Sequence, residues 1–103
     1  MFSGVDVEKI SSVLLQMGME DCEDLTEWLG VSIVGIRKYC ANEIKQTQCY
    51  RRRLVQLYCD RTAKFPQQVA DDMARVLEDD MKNSKSARDI AKKLRQLTFG
   101  ELR

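Results

Sequence analysis

Apolar residues recur along this chain at intervals of three and four, the spacing of one helix face. No segment sustains the period of two that marks a half-buried strand. Val7, Ile10, Val13, Leu14 and Met17 predict a first helix over about residues 6–17. Asp6 can cap its start, and Gly18 suits a left-handed position after its end. Cys22, Leu25 and Leu29 predict a second helix over about 21–29, capped by Asp21, with acids in its first turn and Gly30 behind its last. A third starts at Ser32 and carries Ile36, Tyr39 and Cys40 inward. Residues 41–46 are polar and weakly patterned around Ile44, a short helix or a loop. The fourth helix covers about 48–61, with Tyr50, Leu54, Leu57 and Tyr58 as its stripe and Val55 widening it. Pro66 stands where a helix tolerates proline best, in the first turn, and opens a fifth helix to about residue 81 with Val69, Met73, Val76 and Leu77 inward. Asn83, Ser84 and Ser86 offer caps for a sixth, Ser86 and Asp89 having the spacing of a capping box. Its stripe is Ala87, Ile90, Ala91, Leu94 and Leu97. The tail from 98 to 103 is expected to fray.

Amphipathic helices joined by short connections must bury their stripes against one another, so the expected fold is all-α, an antiparallel six-helix bundle. With 103 residues the chain is expected to form a single domain, its core spanning about 6–97 and its tail 98–103. That length supports one core without staples. Hydrophobic residues at 44% argue against disorder, and charged residues at 32% with no long apolar run argue against membrane insertion. The first ten residues lack a secretory pattern, and with Phe2 in place of Gly no N-myristoylation is expected. Cys22, Cys40, Cys49 and Cys59 form no C-x-x-C pair. Without a leader, they are expected to be free, reduced and mostly buried, in a cytoplasmic protein. The chain has no histidine, which removes the commonest general base and metal ligand together. Gly-rich phosphate loops are also lacking, and the carboxylates fall on helix surfaces. No enzyme, cofactor, metal or small-molecule substrate is expected.

A formal net charge of +1 conceals a segregated pattern. Residues 1–30 carry seven acids and one base; 31–64 carry eight bases and two acids. Residues 65–80 carry five acids and one base; 81–103 carry seven bases and two acids. Sorted blocks on a small body predict distinct acidic and basic faces, which favour head-to-tail contact between copies and salt-sensitive binding.

The stretch Cys22-Glu-Asp-Leu25-Thr26-Glu-Trp28-Leu29-Gly30, followed by Val31-Ser32, Ile36 and the later Leu54-Val55-Gln-Leu-Tyr58, resembles a death domain. The final Ala87, Ile90, Ala91, Leu94 stripe has the same shape, so the resemblance covers about residues 6–97. The sequence departs from the family pattern where Cys22 and Tyr58 replace tryptophans. The resemblance implies a Greek-key bundle of six helices that does no chemistry. It implies homotypic or heterotypic binding to other death-fold domains, oligomeric assembly, and a setting in apoptotic or innate-immune signalling.

Candidate contact residues follow from the charge blocks. Arg51, Arg52 and Arg53 form the sharpest cluster, and at least two of them are expected to face solvent. They either grip a partner's carboxylates bidentately or pair within the chain with the acidic second helix. Arg37 and Lys38 flank them. Glu23, Asp24 and Glu27 form a candidate acidic counterpart, or merely sit well in the first turns of a helix. Asp71 and Asp72, with Glu78, Asp79 and Asp80, offer a second acidic surface. Trp28 is either an exposed anchor or a filler against the first helix, and the volume left by Cys22 favours the filler. The string Leu25–Ser32 followed by Ile36 also looks like a helix-turn-helix. Its base-facing positions would be Ile33, Val34 and Gly35, which offer no side-chain hydrogen bonds, and the acidic leading helices repel phosphate, so nucleic acid is not the expected partner.

Overall fold

The stripes close into six α-helices, with no strand among the described residues: α1 (Gly4–Leu14), α2 (Met19–Trp28), α3 (Ile33–Tyr39), α4 (Gln46–Thr62), α5 (Pro66–Asp80) and α6 (Lys85–Gln96). The computed structural model describes residues 4–41, 46–81 and 83–99. The readings made for residues 42–45 and for the tail beyond Phe99 lie outside them.

Local chemistry explains the helix ends; it bears out Ser84 among the caps offered for α6 and corrects the roles expected of Asp6, Gly18 and Asp21. α1 begins before Asp6, which lies inside the first turn. Gly18 is not left-handed: with φ −65° and ψ 159° it is the extended N-cap of α2, ahead of Asp21. Ser84 caps α6, its hydroxyl accepting from the Ala87 N–H at 3.3 Å, so the cap lies two residues before Ser86. Ser32 caps α3 in the same way through the Gly35 N–H at 3.2 Å. Gly30 fulfils the left-handed expectation at φ +74°. The Val31 N–H reaches the Thr26 carbonyl at 3.1 Å and the Gly30 N–H the Glu27 carbonyl at 2.9 Å, the paired bonds of a Schellman end. A Cβ at Gly30 would stand 3.0 Å from the Arg61 guanidinium, which bonds the Leu29 carbonyl at 2.5 Å.

α4 lies at the centre and packs on α1, α2, α3 and α5, while α6 packs on α5 and α1. Ile10, Leu14, Leu25, Ile36, Leu54, Val55, Val69, Met73, Leu77, Ile90 and Leu94 form a continuous, nearly solvent-free core. The radius of gyration, 12.8 Å, is that of a compact domain of this length. Because α4 has neighbours on several sides, its buried arc is wide: Tyr50, Arg51, Leu54, Val55, Tyr58 and Cys59 are all inside, and Leu57 is half-buried. Val13, Val76 and Leu97 are half-buried too. Three aromatics among the described residues are exposed, Tyr39 at 64%, Phe65 at 60% and Trp28 at 43%, so Trp28 is no filler. Cys40 and Cys49 form a disulfide with a Cα separation of 5.9 Å, which corrects the expectation of four free thiols. It joins the end of α3 to the start of α4. Cys22 and Cys59 remain free and buried.

Candidate functional site

Of the three consecutive arginines, only one points fully to water. Arg51 is 2% exposed and cannot belong to a surface patch. Its Nε donates to the Leu14 carbonyl at 2.8 Å, and a terminal nitrogen donates to the Met17 carbonyl at 2.5 Å. These are carbonyls at and just past the end of α1, where no intrahelical N–H remains and the dipole favours a cation. Arg52 is exposed but grips Glu8 of α1 with two bonds, at 2.6 and 3.0 Å. The half-buried Arg53 guanidinium lies 4.1 Å from the Tyr39 ring centroid, a cation–π contact with α3. The cluster thus works mainly within the molecule, tying α4 to α1 and α3.

The other candidates divide in the same way. Arg37 pairs with Glu23, joining α3 to α2. Asp72 accepts from the Tyr58 hydroxyl at 2.8 Å, pairs with Lys64, and lies 3.9 Å from Arg75. Burial alone would raise its pKa, but the bonds from Lys64 and Tyr58 outweigh that and hold it below the ordinary value. Asp71 accepts from Gln67 at 3.3 Å. Glu78 is held by Arg95 of α6 at 2.6 Å. The remaining members, Lys38, Asp24, Glu27, Asp79 and Asp80, are exposed and make no ion pair among the described residues.

Removing the internally engaged charges exposes a simpler pattern. On α2, Glu20, Asp24 and Glu27 stand on one outward face, opposite Cys22, Leu25 and Leu29. Trp28 sits on its edge. On α6, Lys85, Arg88 and Lys92 stand opposite Ala87, Ile90, Ala91 and Leu94. Asp89 is on the flank of that face, while Lys93 donates to Gln16 and Arg95 turns to Glu78. The six outward groups are exposed and in no ion pair among the described residues. Sequence reading counted the acids of α2 and the bases near the C-terminus but singled out neither Glu20 nor Lys85, Arg88 and Lys92. Their spacing opposite the apolar stripe was the available signal.

The two free thiols are poorly suited to nucleophilic chemistry near neutral pH. Burial pushes the Cys22 thiol up to about 11 and the Cys59 thiol up to about 12, far from the thiolate form a nucleophile needs. A shallow groove of about 670 Å³ on the outer side of α1 is lined by Val5, Val13 and Leu97 with Glu8 at its rim. Arg52 holds that carboxyl below its ordinary range, which keeps it ionised and unable to act as an acid. No group of three or more Cys, Asp and Glu among the described residues could hold a metal, and no helix there is long and apolar enough to cross a membrane. The helix-turn-helix positions are apolar or bare: Val34 is 75% exposed beside Ile33 and Gly35.

No family model, curated protein or solved structure matches the chain.

Proposed function

We propose that this chain is a non-enzymatic protein-interaction module that assembles with copies of itself through complementary charge. The observation that carries this reading is the sign-sorting of the exposed charges on α2 and α6 that have no ion pair among the described residues: Glu20, Asp24 and Glu27 on α2, and Lys85, Arg88 and Lys92 on α6 with the one acid Asp89 at their flank. Arg37, Arg52 and Arg95, by contrast, are engaged by carboxylates of the same molecule. α2 packs on α3, α4 and α5, whereas α6 packs on α5 and α1, so the two faces belong to different flanks of the body. Such a molecule is self-complementary only head to tail.

The death-domain resemblance supports the same reading and adds the finer one: a Greek-key antiparallel arrangement, binding to death-fold partners, and a cytoplasmic role in apoptotic or innate-immune signalling. The six-helix all-α body is compatible with it. In a reducing compartment the Cys40–Cys49 bond would be open to reduction, and it joins α3 to α4, neither of which carries either charged face.

Sedimentation velocity across a protein concentration series, at low and high ionic strength, tests the reading. Species larger than the 11.9 kDa chain are expected at low ionic strength, returning to monomer as salt is added. A chain that stays monomeric at low ionic strength overturns it.

A further inference from the structure

The spacing of the two charged faces contains more than complementary sign. On α2 the carboxylates fall at 20, 24 and 27, steps of four and then three. On α6 the cations fall at 85, 88 and 92, steps of three and then four. Read from its C-terminal end, α6 repeats the spacing of α2. Each set spans seven residue steps, about 10.5 Å of helix. A parallel alignment would put Asp24 and Arg88 one residue out of step and rotate them apart.

We propose that α2 of one copy lies antiparallel along α6 of the next, with Glu20 opposite Lys92, Asp24 opposite Arg88, and Glu27 opposite Lys85. This rests on the self-assembly reading and names its contact. The macrodipoles favour the same direction, since the positive end of α2 then meets the negative end of α6. Helices crossing at about 20° keep their facing rows in contact over two turns, which this register requires. Trp28 follows Glu27 on the edge of the face and comes beside Lys85, where its ring can cover the lysine stem and face the ammonium. Its 43% exposure becomes the apolar anchor of an otherwise polar contact. Asp89, on the flank of the basic face, sets the limit of the acidic face it can receive. Each copy retains one unused α2 face and one unused α6 face after docking, so growth continues until a ring closes or a filament forms.

Two double variants test the contact, each placing alanine, the best helix former, at exposed positions. One is Glu20→Ala with Asp24→Ala; the other is Arg88→Ala with Lys92→Ala. Helical content and melting should match the unsubstituted chain. Each variant alone should bind itself roughly tenfold or more weakly at low ionic strength, two surface pairs having been lost. An equimolar mixture retains one intact junction and should form a heterodimer that grows no further. Arg52→Ala, which removes a charge already engaged by Glu8, should leave assembly as it was. An unsubstituted chain that is monomeric overturns the self-assembly reading itself. An unsubstituted chain that assembles while both variants assemble equally well, or whose variants do not pair on mixing, overturns only the α2–α6 contact.

Discussion

Arg51 carries a formal charge between two other arginines, yet it is 2% exposed and bonds the Leu14 and Met17 carbonyls. Its cost of desolvation is offset by carbonyls at the end of α1, where the dipole favours a cation; the Leu14 carbonyl has its second lone pair free beside the Met17 N–H. Arg51→Met keeps the apolar stem and removes the donors to both carbonyls and to the Met19 sulfur, so it should lower stability by roughly 3 kcal/mol, the range for buried hydrogen bonds from a charged group. Arg52→Ala, losing a solvent-exposed pair, should cost about 1 kcal/mol or less. Urea midpoints of the two variants measure the difference, and equal midpoints would remove Arg51 from its role. The position was misread because a stripe of Tyr50, Leu54, Leu57 and Tyr58 implies a narrow buried face. At 100° per residue, the residues α4 buries from Tyr50 to Cys59 span about half its circumference. Periodicity gives the direction of a buried face, but its width depends on how many neighbours the helix has. Exposed Tyr39 and Trp28 are the converse: both are large and apolar enough to be placed inside, but they lie on helices with fewer packed sides.

At the scale of elements, all six helices were legible, because each amphipathic stripe is broken by a residue with a local reason to break it. Pro66 opens α5 at its first position, and Gly30 closes α2 in the left-handed conformation. Gly18 was misassigned because glycine serves an N-cap as readily as a C-terminal turn, and only the preceding chain path decides between them. The Cys40–Cys49 disulfide was not legible at all: a separation of nine residues permits a bond or two free thiols equally, and the choice depends on how α3 meets α4. Closing a loop of that length stabilises the native state by roughly 2.5–3 kcal/mol in the chain-entropy account. Cys40→Ser with Cys49→Ser should therefore lower the unfolding free energy by about that amount while leaving assembly unchanged. Thiol titration checks the pairing directly. In urea without reductant only Cys22 and Cys59 should react; after reduction all four should. Four reactive groups without reductant would remove the bond.

For the whole molecule, the ion pairs act as ties between helices, and this gives the fold a direction of pH dependence. Glu8 joins α1 to α4 through Arg52, Glu78 joins α5 to α6 through Arg95, and Asp72 of α5 receives Tyr58 of α4 and Lys64 of the following loop. The bonds from Arg52 and Arg95 hold Glu8 and Glu78 below the ordinary glutamate value of 4.5; at Asp72 those from Lys64 and Tyr58 overcome burial to hold it below 3.8. A carboxyl with a depressed pKa binds its proton less tightly when folded than when unfolded. Its contribution is complete above the ordinary value and is lost as pH falls through the folded value. Lys64 works in the opposite sense: its bond to Asp72 raises it above 10.5, so its contribution persists through neutrality and is lost only in strong alkali. The two pairs on the surface are screened by water and contribute little, whereas the Asp72 side chain is only 13% exposed and should dominate. At neutral pH, Asp72→Asn should cost about 1–3 kcal/mol, having replaced charge-assisted bonds with weaker neutral ones. As pH drops below 3.8 the unsubstituted protein should lose stability faster than the variant, and the two should converge. Urea midpoints taken from neutral pH into the acid range read this directly. Parallel curves for the two proteins would show that the ties of α5 to α4 lie elsewhere.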